Sequence, residues 1–196
     1  MLLFRNFRHI TLLTISFSIL LTGCASSYKP APDLKRLKHG KRVVCPNCNL
    51  MNGDLRGYNL AGANLSGANL MYANLHGVDL SGANLTNVDL EQSDMGETVL
   101  NGAKLSGANL ADSSLMKAKL LGVDLRGVTM TGIWMPEADL TGAVLDGVDL
   151  MDTDMTDAVV DEGAFDKAKL CNTTLPNGWQ NERDCYYPPE VDEQDH

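Results

Sequence analysis

Leu60-Ala61-Gly62-Ala63-Asn64-Leu65-Ser66-Gly67-Ala68-Asn69-Leu70 repeats itself after every five residues. A period of five matches neither the 3.6 of an α-helix nor the 2 of a strand, so an ordinary globular pattern is excluded. Ala63 and Leu65 flank polar Asn64, the alternation of a very short strand with two side chains in and one out. Ser66 and Gly67 supply the bend, glycine taking unusual backbone angles without steric cost. A chain that turns a corner every five residues closes a square after four blocks. Squares can stack at the interstrand spacing of ~4.8 Å. One square buries nothing alone, so stability requires a stack.

Outward from this stretch the period runs from Leu50 to Leu175 without insertion or deletion. Leucine fills the large inward position except at Met95, Met130, Met135, Met155, Val160 and Phe165. At twenty-residue spacing these residues fall into four columns, one beginning Leu50, Leu70, Leu90. The methionines read as gap-fillers within those columns. Two residues before each large residue stands a small one, mostly Ala or Val, as a narrow interior demands. Gly62, Gly82, Gly102, Gly122 and Gly142 form one corner ladder; another holds Gly67, Gly107, Gly127 and Gly147 with Asn87 in the gap. The remaining corners carry larger residues (Asn52, Tyr72, Gln92, Asp112; Glu97, Lys117, Glu137), which predicts different turn types on different sides.

Blocks such as ANLSG, ANLHG, VDLSG, ADLTG and VDLRG resemble the pentapeptide-repeat family, whose pattern is A(D/N)LXX. The resemblance implies an all-β fold, a right-handed quadrilateral β-helix, here of about six and a half coils over residues 45–175. Val99, Lys104, Lys119, Trp134, Val144 and Val159 stand where Asp or Asn is expected. Those side chains point outward, which makes them candidates for a functional surface.

The N-terminus is a separate unit. Arg5 and Arg8 precede the apolar run Ile10–Leu21, too short for a membrane span and suited to a signal peptide. Leu21-Thr22-Gly23-Cys24 resembles the bacterial lipobox, which implies removal of residues 1–23 and lipidation of Cys24. Acyl chains on Cys24 anchor the protein to a membrane. Ala25 in place of an aspartate points to the outer membrane, facing the periplasm. Residues 24–44 form a tether with Lys29, Lys35, Arg36, Lys38, Lys41 and Arg42 against Asp33, suited to anionic headgroups or to solvent. Pro30 and Pro32 favour an extended spacer. A short capping helix is expected over Asp33–Gly40.

Four cysteines remain in an oxidising compartment, allowing three pairings. The segment CNTTLPNGWQNERDC resembles a closing segment of the same family, which favours Cys171–Cys185 as a disulfide pinning the C-terminal cap, residues 176–196. Cys45 and Cys48 both fall on inward phases, so a disulfide and two buried thiols are both open. Trp179, Tyr186 and Tyr187 are available to cover the C-terminal end; a homodimer through a terminal coil is the alternative use of it.

The whole chain has a formal net charge of −9. Glu137, Asp139, Asp146, Asp149, Asp152, Asp154, Asp157, Asp161, Glu162 and Asp166 follow one another with no Lys or Arg between Gly127 and Asp166. Asp149, Asp152, Asp154 and Asp157 are the closest to a weak cation site or a field for a basic partner, but a solvated acidic face that keeps the protein soluble is the favoured reading. His9, His39, His76 and His196 make no cluster in sequence, and no serine lies in G-x-S-x-G, so neither an enzyme nor a cofactor is expected. Some family members resemble DNA in shape and charge and protect DNA gyrase. An exported lipoprotein would not meet gyrase, so no nucleic-acid role is expected. The expected function is a lipid-anchored scaffold displaying surface to a protein partner in the cell envelope.

Overall fold

The computed structural model describes residues 43–186 together with Leu37. Parallel bridges join residues twenty apart: Asn59 to Asp79, Val99, Lys119, Asp139 and Val159 on one side, and Asp54 to Asn74, Asp94, Ser114, Trp134, Asp154 and Thr174 on another. The chain is a solenoid of four sides. We number them by their outward residues: the first runs from Val44, the second from Asn49, the third from Asp54 and the fourth from Asn59.

One block accounts for all of its backbone N–H groups. Leu65 N–H donates to Asn84 O of the next coil (2.9 Å) and Gly67 N–H to Thr86 O (2.9 Å). Ala68 N–H closes the turn onto Leu65 O (3.0 Å), and Asn69 N–H reaches back to Cys48 O (2.9 Å). Only Ser66 N–H lacks a backbone acceptor, and Asn64 Oδ1 accepts it at 3.2 Å. The outward Asp or Asn of each block is thus a structural acceptor for the corner, an Asx turn repeated around the rod. The same bond recurs at Asn69, Asn74, Asp79 and Asn84, and again at Asp139, Asp149 and Asp154.

The interior is the leucine ladder. Leu50 through Leu90 are fully buried at five-residue steps, with Met95, Met130, Met135 and Met155 in the same condition. Each such side chain contributes about 1.5–3 kcal/mol on burial. Inward hydroxyls are satisfied locally: Ser93 and Ser113 donate to Leu90 O and Leu110 O, and Thr98 to Met95 O. Thr153 and Thr173 donate to carbonyls of the coil before, Met130 O and Leu150 O. Leu37 is buried in the same core; the rest of the expected capping helix lies outside the described residues.

The corners correct one expectation. Their turn types do not differ between sides: the second corner residue has positive φ throughout, at 52–58° for Asn, Tyr, Gln, Glu, Asp and Lys, close to the 63–78° of corner glycines. The i→i+3 bond with positive φ at the third residue is type II geometry. Stacking outweighs the local preference of Tyr72, Glu97 or Lys117. A second correction concerns the last coil. Val160 and Phe165 are only partly buried, and Ala164, Asp166 and Ala168 bond back within their own segment. Here the glycine has moved one place, to Gly163 (φ 75°), so the side is replaced by successive turns.

Past the last coil, β1 (Thr173–Thr174) pairs antiparallel with β2 (Gln180–Asn181). Asp184 then brackets Leu170, donating its N–H to Leu170 O (2.9 Å) and accepting Leu170 N–H on Oδ2 (2.8 Å). Arg183 donates to the carbonyls of Phe165 and Ala168. These edge groups, which could template another strand, are thereby occupied. Among the described residues the aromatics available to cover this end stand out from it: Trp179 is 75% exposed and Tyr186 83%. Backbone and charged groups close this end instead. Tyr187 lies outside the described residues.

Candidate interaction surface

The pattern-breaking outward residues are not scattered. Val99, Lys119 and Val159 share the fourth side, and Lys104 and Val144 stand on the first. These two sides meet at the corner of Gly62, Gly82, Gly102, Gly122 and Gly142. At Gly62, Gly82, Gly102 and Gly122 an added Cβ would meet nothing within 4 Å. Leu121, at the same corner, is 39% exposed. Trp134 lies elsewhere, on the third side beside Ser114, and Thr129 and Lys169 are departures on the second.

Each departure from Asp or Asn removes an acceptor, and two are compensated. Trp134 precedes Pro136, which has no N–H to satisfy. Lys119 leaves Leu121 N–H to Asn101 Oδ1 of the coil before, at 3.0 Å. Trp134, about half exposed, is thus a large aromatic side chain placed where the fold needs no polar one.

Charge is patterned as well. Arg56 and Arg126 each reach back to the Asx carboxylate of their own turn, at 2.8 and 2.6 Å to Asp54 and Asp124. Hydrogen bonds from these arginines hold both carboxyls down at about 2. Asp184 is lowered too, first by the Leu170 N–H and then by Arg183. Lys117 meets Glu137 (3.7 Å) and Lys167 meets Asp146 (3.0 Å), one coil apart. Among the described residues Lys104 and Lys119 make no ion pair. His76 lies beside Asp94 (Nδ1 to Oδ1, 3.6 Å) and Glu97 (Nε2 to Oε2, 4.0 Å). Its ring sits over Gly96, where a Cβ would come within 2.7 Å of Nδ1. The sequence reading passed over this trio, although separations near twenty place its members on adjoining coils.

The acidic quartet does not converge. Asp149 and Asp154 lie on the second and third sides, where each accepts a turn N–H. Asp152, at the corner between, accepts Asn172 Nδ2 at 2.6 Å. Asp157 stands at the next corner with φ 58°. Among the described residues no three His, Cys, Asp or Glu side chains come together to hold a metal.

Cys45 and Cys48 are buried in one turn with Cα atoms 5.5 Å apart; Cys171 and Cys185 stand 4.7 Å apart at the cap. Both separations lie within disulfide range. Cys24 lies outside the described residues.

Comparison with known families matches pentapeptide repeats, in eight copies, over residues 48–87, 93–132 and 135–175. This chain belongs to the pentapeptide-repeat family. Members are generally non-enzymatic structural or interaction proteins. Among solved structures it is similar to HetL of the cyanobacterium Nostoc sp. strain PCC 7120, involved in heterocyst differentiation regulation: 28% identity, covering 67% of this chain and 70% of that one, TM-score 0.36. A pentapeptide-repeat protein from the Arabidopsis thaliana thylakoid lumen has 32% identity over 50% of this chain and 66% of its own, TM-score 0.35. QnrB1, a plasmid-mediated fluoroquinolone resistance protein, has 15% identity over 66% and 69%, TM-score 0.32. No curated protein matches.

Proposed function

We propose that this pentapeptide-repeat protein is a non-enzymatic, lipid-anchored scaffold of the bacterial cell envelope. The observation that carries the reading is Leu21-Thr22-Gly23-Cys24 ahead of the basic tether and the acidic repeat domain. In this reading the solenoid is the family's right-handed quadrilateral β-helix of about six and a half coils, preceded by a short helix. Cys24 carries the acyl chains, and the outer membrane holds the rod in the periplasm. Disulfides Cys45–Cys48 and Cys171–Cys185 staple the first turn and the closing segment in that oxidising space.

The surface supports presentation rather than chemistry. Most outward Asp and Asn side chains are committed to their own turns, which leaves the exceptions, grouped mainly on the first and fourth sides, to contact a partner. QnrB1 shares the fold alone at its level of identity, and export removes the chain from gyrase. The test is affinity capture of the intact lipoprotein, cross-linked in the envelope of its host. A specific envelope protein should be enriched with the wild type and lost with Cys24→Ala. Equal recovery with the unanchored variant would contradict the anchored-scaffold reading.

A further inference from the structure

The fourth side carries an order of residues that complements itself. Its ladder is unbroken from Asn59 to Val159, and its last four outward residues are Val99, Lys119, Asp139 and Val159. Val159 is 55% exposed. Lys119 makes no ion pair among the described residues. Asp139 takes both of its bonds from Thr141 on Oδ1, leaving Oδ2 for another group. The sequence along the rod is therefore apolar, positive, negative, apolar at one coil spacing, ~14 Å from first to last.

We propose that two copies of this chain pair side by side and antiparallel through the fourth side. A two-fold axis across the rod, between the Lys119 and Asp139 coils, sets each Lys119 against the partner's Asp139 and each Val99 against the partner's Val159. One rotation satisfies all four positions, as an isologous contact requires. The preceding corner obeys the same operation, since Lys117 then faces the partner's Glu137. Leu121, at the following corner, adds apolar area beside the partner's Thr141. A parallel pair would instead put Lys119 on Lys119, so charge selects the antiparallel one. Glu97 and Asp157 meet as like charges at the rim, where solvent and salt screen them. The contact is smaller than a standard interface of about 1,200–2,000 Å², so the pair is weak and forms where copies are crowded. This contact is independent of the terminal coils and of the anchoring reading.

Charge reversal tests it, because ladder positions accept lysine already at Lys104 and Lys119. Sedimentation of the full chain in detergent, up to near-millimolar concentration, reads the association. Lys119→Glu alone and Asp139→Lys alone should each weaken dimerisation about tenfold or more, since each sets like charges opposite one another twice. The double variant should recover wild-type association. So should an equimolar mixture of the two single variants, in which every reversed charge meets its complement. Circular dichroism melting shows that each variant is folded. A wild type that stays monomeric overturns the proposal. So do single variants that associate as the wild type does, and a mixture or double variant that fails to recover.

Discussion

A corner residue of this rod has one backbone conformation whatever its side chain. Tyr72, Glu97 and Lys117 are held at φ 57–58°, where an L-residue pays ~1–2 kcal/mol and glycine pays nothing. Gly102, at φ 67° with open space around it, isolates this term. Gly102→Ala should destabilise by about 1–2 kcal/mol with no clash against a neighbouring coil, and Gly102→Asn by much less, because asparagine tolerates the left-handed region. Thermal melting of the two variants checks the order. A second residue-scale prediction concerns the Asx bond. Asn84 accepts from both Thr86 N–H and Thr86 Oγ1 and donates to Asn64 Oδ1. Asn84→Ala should cost about 1 kcal/mol or more. Trp134→Ala should leave stability nearly unchanged, since Pro136 asks for no acceptor. Equal losses at the two sites would remove the structural role given to the outward Asp and Asn.

At the scale of the coil, large buried residues and the closing segment set the energies. Leu100 is fully buried in its column, and Leu100→Ala should cost about 2–5 kcal/mol. The C-terminal closure rests on Asp184, Arg183 and the Cys171–Cys185 pair. Cys171→Ser should cost about 3 kcal/mol and raise amide exchange first around Leu170 and β1. The carboxyls of Asp54, Asp124 and Asp184 are depressed in the folded rod. Their contribution is complete above their ordinary value of 3.8 and is lost as pH falls through the folded values. Melting temperature should therefore hold from neutral pH to about 4.5 and fall between about 4 and 2.

Across the whole molecule, the five-residue period alone carried the solenoid, its twenty-residue ladder and the inward cysteines. It did so because burial repeats with the chain and needs no long-range information. What it hid was of two kinds. Corner composition misled about turn type, since a stacked backbone forces Tyr72 and Gly62 into the same geometry. The role of Asn64 and its equivalents as turn acceptors was hidden, because a bond to the N–H two residues on is invisible in composition. Gly163, one place out of phase, was a readable sign of the broken last side. The grouping of Val99, Lys119 and Val159 on one side, and of His76 with Asp94 and Glu97, follows from counting in twenties. The acidic run Glu137–Asp166 was misleading for the opposite reason. Neighbours in sequence are turned onto different sides, so a dense charge stretch makes no site.

Whether this rod is held at a membrane by Cys24 is decided by the mass of its N-terminus. The protein should be extracted from the envelope of bacteria expressing the full chain and its N-terminal peptide analysed by mass spectrometry. The expected result is a chain beginning at Cys24 with a thioether-linked diacylglyceryl group. A chain that still begins at Met1, or one cleaved elsewhere with Cys24 unmodified, would contradict the lipid-anchored scaffold.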